Sequence, residues 1–316
     1  MLLMILAAAF ASTQPDPTLP ALPEPPAIAE PADQARPEEV PAADPAPRVV
    51  VQRGARYIER EGTPARRTSL DVHRPAVRDR DNPMPILIFV HGGGWSNGDK
   101  AGVGHKPAWA ARNGWVFVSV NYRLSPDVIH PEHARDVAAA IAWVKANAST
   151  FNGDPERIAI MGHSAGAHLA AIVSSDESLL AEHALTPADL SAAVLLDGAA
   201  YNLPRRMKIP PNGRLGDMYA MAFGKDPELW ERASPTLQAK PGDKLPPLFC
   251  VHAGRRIEAR IEGREIVAAW QAADAEATLH HAPDKDHAAI NRGLGIEGDS
   301  DTNAIEAFLR RVFGQD

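Results

Sequence analysis

The chain has 316 residues, enough for one large domain or two small ones, and its 45% apolar and 23% charged residues support a real core. A net charge of -7 and the lack of any lysine/arginine stripe argue against a nucleic-acid partner. The one cysteine, Cys250, sits in the apolar run Leu248–Val251; it cannot form an intrachain disulfide and reads as a small core residue.

Met1–Ala11 is almost wholly apolar and closes on Ala9-Phe10-Ala11, like the apolar and cleavage regions of a secretory signal peptide, although no positive charge precedes it. Export is the expectation, to the periplasm or beyond, with an uncleaved cytoplasmic tail as the alternative. The run is too short to span a bilayer as a helix. From Ser12 to Arg48 the chain turns to proline, alanine, aspartate and glutamate. Such a stretch buries too little apolar surface to offset its ordering entropy, which predicts a disordered tether over 12–48. The folded domain is expected over 49–316.

Beyond Val49 strands and helices alternate. Val49–Arg60 and Thr68–His73 read as an antiparallel start, and Ile86–Val90 and Trp115–Val120 as continuous apolar strands. Pro131–Ala148 has helical spacing, with Val137, Ile141 and Val144 on one face and Asp136 and Lys145 off it. Arg157–Met161 is a buried strand, Ala165–Ser174 a helix of small residues, and Ala192–Leu196 the sixth strand. Leu248–Val251 and Ala277–His280 are further strands, with helices at Glu258–Ala273 and Thr302–Phe313. This alternation predicts a mostly parallel twisted sheet with helices on both faces, and ligands bind outside the carboxyl ends of such strands. Residues 198–244, after the sixth strand, are long for a connection and carry Tyr201, Met218, Tyr219, Met221, Phe223 and Trp230. A lid-like insertion or plain core packing explains them equally.

Two glycine-rich runs fall at those carboxyl ends: HGGGW at His91–Trp95 and GHSAG at Gly162–Gly166. Ser164 lies between glycines, directly after a strand and before a helix, where a side chain on either flank would collide with its neighbours. A serine hydroxyl is a poor nucleophile until a base takes its proton, and histidine titrates in the right range. Of twelve histidines, His287 follows the last strand in the polar loop Asp284–His287 and is the candidate base. His168, one helical turn after Ser164, reads as a packing residue. His91 reads as an orienter of the glycine loop, and Trp95 either lines an acyl site or fills core. Arg123 and Asp136 read as a structural pair, and Arg205–Arg206 and Arg255–Arg256 as solvated pairs. No histidine/cysteine cluster has metal-ligand spacing, so neither metal nor cofactor is implied.

HGGGW, the run Asn121–Pro126, GHSAG and a late histidine together resemble the α/β-hydrolase fold from about Thr68 onward, in particular esterases related to hormone-sensitive lipase and the acetyl-esterase and kynurenine-formamidase-like group. The resemblance implies that Ser164 attacks the carbonyl of a small or medium acyl ester, that His287 is its base, and that the N–H groups of Gly93, Gly94 and Ala165 form the oxyanion hole. It places an aspartate in the glycine-led turn after the strand Leu248–Val251, and here that turn reads Gly254-Arg255-Arg256-Ile257-Glu258. Glu258 is the nearest carboxylate and the leading candidate for the acid; Asp197, ending the sixth strand, is the rival. Alternatives to an esterase are an amide, formamide or lactone hydrolase of the same fold, or an impaired relative that binds without turnover. The oligomeric state is left open.

Overall fold

The computed structural model describes residues 47–77, 79, 81–208, 213–254 and 256–315. The apolar start 1–11, nearly all of the 12–48 tether, Arg255 and part of the 198–244 insertion lie outside these.

Eight strands make one sheet: β1 (Val49–Arg56), β2 (Ser69–Pro75), β3 (Met84–Val90), β4 (Val116–Val120), β5 (Gly153–His163), β6 (Ala192–Leu196), β7 (Leu248–Ala253) and β8 (Ala277–Ala282). Their order is β1-β2-β4-β3-β5-β6-β7-β8. β2 is antiparallel to β1 and β4, and every other pairing is parallel. Continuous apolar runs form the central strands because both faces are covered, and alternate residues serve opposite faces. Ile86, Ile88 and Val90 enter one core cluster while Leu87 and Phe89 enter the other; Ile158 and Ile160 part from Ala159 and Met161 in the same way.

The helices are α1 (Lys106–Arg112), α2 (Glu132–Asn147), α3 (Ala165–Ser175), α4 (Glu177–Ala181), α5 (Leu203–Lys208), α6 (Arg214–Phe223), α7 (Pro227–Arg232), α8 (Pro235–Gln238), α9 (Ile257–Ala272), α10 (His287–Gly293) and α11 (Ser300–Val312). The first cluster packs α2, α3 and α9 on the sheet through Val137, Ile141, Leu169, Ile172, Ile266 and Trp270. The second packs α1, α10 and α11 on the opposite face through Trp109, Ile290, Ile305 and Phe308. All eleven residues of α3 are buried, which its alanines and glycine permit by letting the helix lie close on the sheet.

α5 to α8 belong to the stretch between β6 and β7. Tyr201, Tyr219, Ala222 and Phe223 of that stretch join the first cluster, so core packing accounts for these residues. Asp136 of α2 is fully buried and accepts three hydrogen bonds from Arg123 at 2.7–3.0 Å, the structural pair expected from the sequence. Cys250 is buried and free, and burial pushes its thiol pKa up.

Candidate active site

β5 runs into α3 through Ser164, whose backbone takes φ 57° and ψ -120°, a strained conformation for a residue with a side chain. The strain persists because the surroundings over-determine the turn. A Cβ on Gly162 would collide with the carbonyl of Gly166, and one on Gly166 with the carbonyl of Val90. The Ser164 N–H donates to Leu196 O at 3.0 Å, anchoring the turn to β6. The side chain is therefore held at the carboxyl end of the sheet and remains half-buried.

His287 opens α10. Asp286 caps that helix by accepting hydrogen bonds from the N–H groups of Ala288 (2.9 Å) and Ala289 (2.6 Å). The imidazole reaches Ser164 Oγ with Nε2 at 2.9 Å and Asp197 Oδ2 with Nδ1 at 2.5 Å. With a carboxylate as acceptor, Nδ1 carries the proton and Nε2 is free to accept from the serine hydroxyl. Asp197 directly follows β6, is buried, and accepts on Oδ1 from the N–H of Ala253 at 2.8 Å. Arg256 pairs with its Oδ2 and also lies 2.7 Å from His287 Nδ1. Burial alone would raise the Asp197 pKa, but the bonds from His287 and Ala253 and the Arg256 charge outweigh it, so the carboxyl sits below its ordinary range.

Glu258 does not join this group, which corrects the choice of acid. Its carboxylate lies 3.3 Å from Arg205 Nη1 of α5. Glu258, Glu262 and Glu265 follow one another at helical spacing on α9 and all face Arg205, so this face is turned to the insertion and away from His287. Arg256 pairs with Asp197 while its side chain stays 41% exposed, whereas Arg206 is buried against Glu262 and the Tyr219 ring.

The glycine loop packs against the serine turn. A Cβ on Gly92 would come within 2.8 Å of His163 O and 3.0 Å of Ser164 Cβ. Gly93 and Gly94 have φ of 121° and 59°, and the Gly93 carbonyl is occupied by the N–H groups of Ser96 and Asn97. A side chain on Gly94 would strike Met218 of α6, so the insertion lies over this loop. Ala165 opens α3, where first-turn N–H groups lack intrahelical acceptors. His91 bonds Gly92 O through Nδ1 at 2.8 Å and stacks on Tyr122, in keeping with an orienting part. Trp95 is core: it is 2% exposed and donates to His168 Nδ1 at 3.3 Å. His168 in turn donates through Nε2 to Ala233 O at 2.8 Å, and burial lowers its pKa to about 4.

Three contacts escaped the sequence reading. Arg256 stands in the turn where the family resemblance places an acid, and that position was its only signal. His163, ahead of the serine, touches the His287 backbone, and Met218 covers Gly94; neither has a signature in the sequence. Among the described residues no group of three or more histidine, cysteine, aspartate or glutamate side chains could hold a metal ion, and no helix is long and apolar enough to cross a membrane.

A mostly parallel sheet with helices on both faces, a serine on a strained strand-to-helix turn and a histidine–aspartate pair at the same sheet edge define the α/β-hydrolase fold. Residues 70–200 match the family model described as BD-FAE. The chain is 41% identical over 114 residues to the probable carboxylic ester hydrolase LipM of Mycobacterium tuberculosis, covering 36% of this chain and 26% of that protein. It is 29% identical over 268 residues to the esterase LipQ of the same organism, covering 80% and 62%. It thus spans less than two thirds of the length of either relative. A solved fungal esterase of Rhizomucor miehei superposes with a TM-score of 0.68 at 25% identity, covering 85% of this chain and 86% of that one. A truncated carbohydrate esterase from gut microbiota superposes at 0.70 and 20% identity, covering 86% and 99%. The chain therefore has the α/β-hydrolase fold and is similar over part of its length to proteins named as esterases.

Proposed function

We propose that this chain is a serine carboxylester hydrolase acting on a small or medium acyl ester through Ser164, His287 and Asp197. The observation that carries the reading is the continuous chain of two short hydrogen bonds, Ser164 Oγ to His287 Nε2 and His287 Nδ1 to Asp197. His287 takes the hydroxyl proton as Ser164 Oγ attacks the carbonyl carbon, and Asp197 holds the imidazole in the required tautomer and stabilises the imidazolium. The oxyanion of the tetrahedral intermediate accepts from the N–H groups of Gly93, Gly94 and Ala165, each such donor contributing about 3 kcal/mol to the barrier reduction. Collapse expels the alcohol, which takes the proton from His287, and leaves an acyl ester on Ser164. Water activated by the same imidazole then attacks the acyl carbon and regenerates the serine. The esterase names of the relatives and structural neighbours support the choice of bond.

Met218 over Gly94 supports α6 of the insertion as a wall of the acyl site. The reading as a binding module drew on the aspartate absent from the turn after β7, and Asp197 against His287 removes that motive. The test is turnover of p-nitrophenyl acetate together with capture of a fluorophosphonate. Wild type should do both and Ser164→Ala neither, with an unchanged thermal melt. Hydrolysis surviving in Ser164→Ala would end the proposal, and side-by-side rates on ester and aryl formamide substrates would decide the preferred bond.

A further inference from the structure

We propose that His163 is a positioning residue, whose imidazole holds the main chain of His287 and so sets the approach of the base to Ser164; this rests on the hydrolase reading above. The base sits on a seven-residue helix beyond the edge strand, with a side chain that is 39% exposed. A catalytic contact built there needs support, since displacement of a reacting group by about 1 Å can cost a hundredfold in rate. His163 is the last residue of β5 and the immediate neighbour of Ser164, so it sits on a central strand paired on both sides, with β3 and β6. Its Nε2 lies 2.8 Å from the carbonyl oxygen of His287, and the two rings lie 4.6 Å apart at 35°.

A carbonyl only accepts, so Nε2 bears the proton and the ring is in its neutral Nε2–H form. Nδ1 lies on the side facing Gly92, where a Cβ would come within 3.1 Å of it. One ring thereby wedges between the glycine loop and the base helix, on the strand that carries the nucleophile. Burial, with the adjacent His287 second, lowers the His163 pKa to about 4. The ring therefore stays neutral at working pH and adds no cation to oppose the imidazolium that forms on His287.

His163→Phe keeps the ring and its packing but removes the donor, and His163→Gln restores an N–H on a side chain of similar reach. For His163→Phe we expect an unchanged melting profile, a kcat on p-nitrophenyl acetate lower by about 10- to 100-fold and a KM within about twofold. His163→Gln should recover a substantial part of that loss, and the rate of fluorophosphonate capture at Ser164 should fall and recover in parallel. A His163→Phe protein that folds and retains the wild-type kcat overturns the proposal. If that variant does not fold, long-range ¹H–¹⁵N spectra of the wild type decide: a fixed Nε2–H tautomer at His163 supports the clamp, and a mixture of tautomers overturns it. Failure of wild type itself to capture the fluorophosphonate would instead sink the hydrolase reading, so the two failures are distinct.

Discussion

Asp197 and His287, 90 residues apart in the chain, meet across 2.5 Å at the carboxyl edge of the sheet. The parallel register of β6 on β7 and β7 on β8 makes this contact, because it delivers both connecting loops to the same edge. Asp197→Asn should preserve the shape of the site but favour the wrong imidazole tautomer, lowering kcat by about 10³- to 10⁴-fold. Glu258→Gln should leave kcat within about twofold. Steady-state turnover of the two variants measures this directly, and a reversed order would return Glu258 to the role of acid.

The serine turn depends on two glycines for space. In Gly166→Ala the new methyl meets the backbone of β3, which cannot yield as a flexible side chain would. The expected destabilisation is about 3 kcal/mol, with loss of fluorophosphonate capture. Gly62→Ala makes a useful comparison: its φ is 69° with nothing within 4 Å, so the cost should be only the backbone strain, about 1 kcal/mol. Denaturant unfolding of both variants tests the ordering.

Several buried histidines should limit stability in acid. Burial lowers the pKa of His73, His163 and His168 to about 4, of His133 to about 3 and of His130 to about 2. The unfolded chain takes up protons on these rings below about pH 6.5, while the native state does not until far lower. Stability is therefore fully present above pH 6.5 and should fall progressively toward pH 4. Urea unfolding at pH 7.5, 6 and 5 should show declining midpoints, and a flat profile would contradict the burial of these rings in their neutral form.

Glu262 has the opposite sign. Burial raises its pKa to about 7, against the N–H of Tyr201 and the charges of Arg205 and Arg206, which lower it. The native state thus holds a proton that the unfolded carboxyl releases near pH 4.3. The cost to the native state grows from there to about pH 7 and is constant above. Glu262→Gln should accordingly gain stability relative to wild type as pH rises from 4.5 to 8, read from paired thermal melts. An unvarying difference would show that the carboxyl titrates normally.

β3, β5, β6 and α3 were legible in the chain because continuous apolar runs bounded by glycine, or runs of small residues, have few other ways to bury their surface. Ser164 was legible for a related reason, since only glycine on both flanks tolerates its turn. His287 stood out as the histidine that follows the last strand. The carboxylate that meets His287 was not legible: Glu258 has the better position along the chain, and the face of α9 that it occupies is set by packing against Arg205.

Local chemistry thus dictated the order of elements, the nucleophile's turn and the kinds of side chain available for proton transfer. Folding of distant segments onto one sheet edge selected Asp197 as the partner of His287, set Arg256 beside it, and put His163 against the His287 main chain. Residues this far apart meet only through strand order, register and loop path. These follow from the packing of the whole molecule, and no short stretch of sequence contains them.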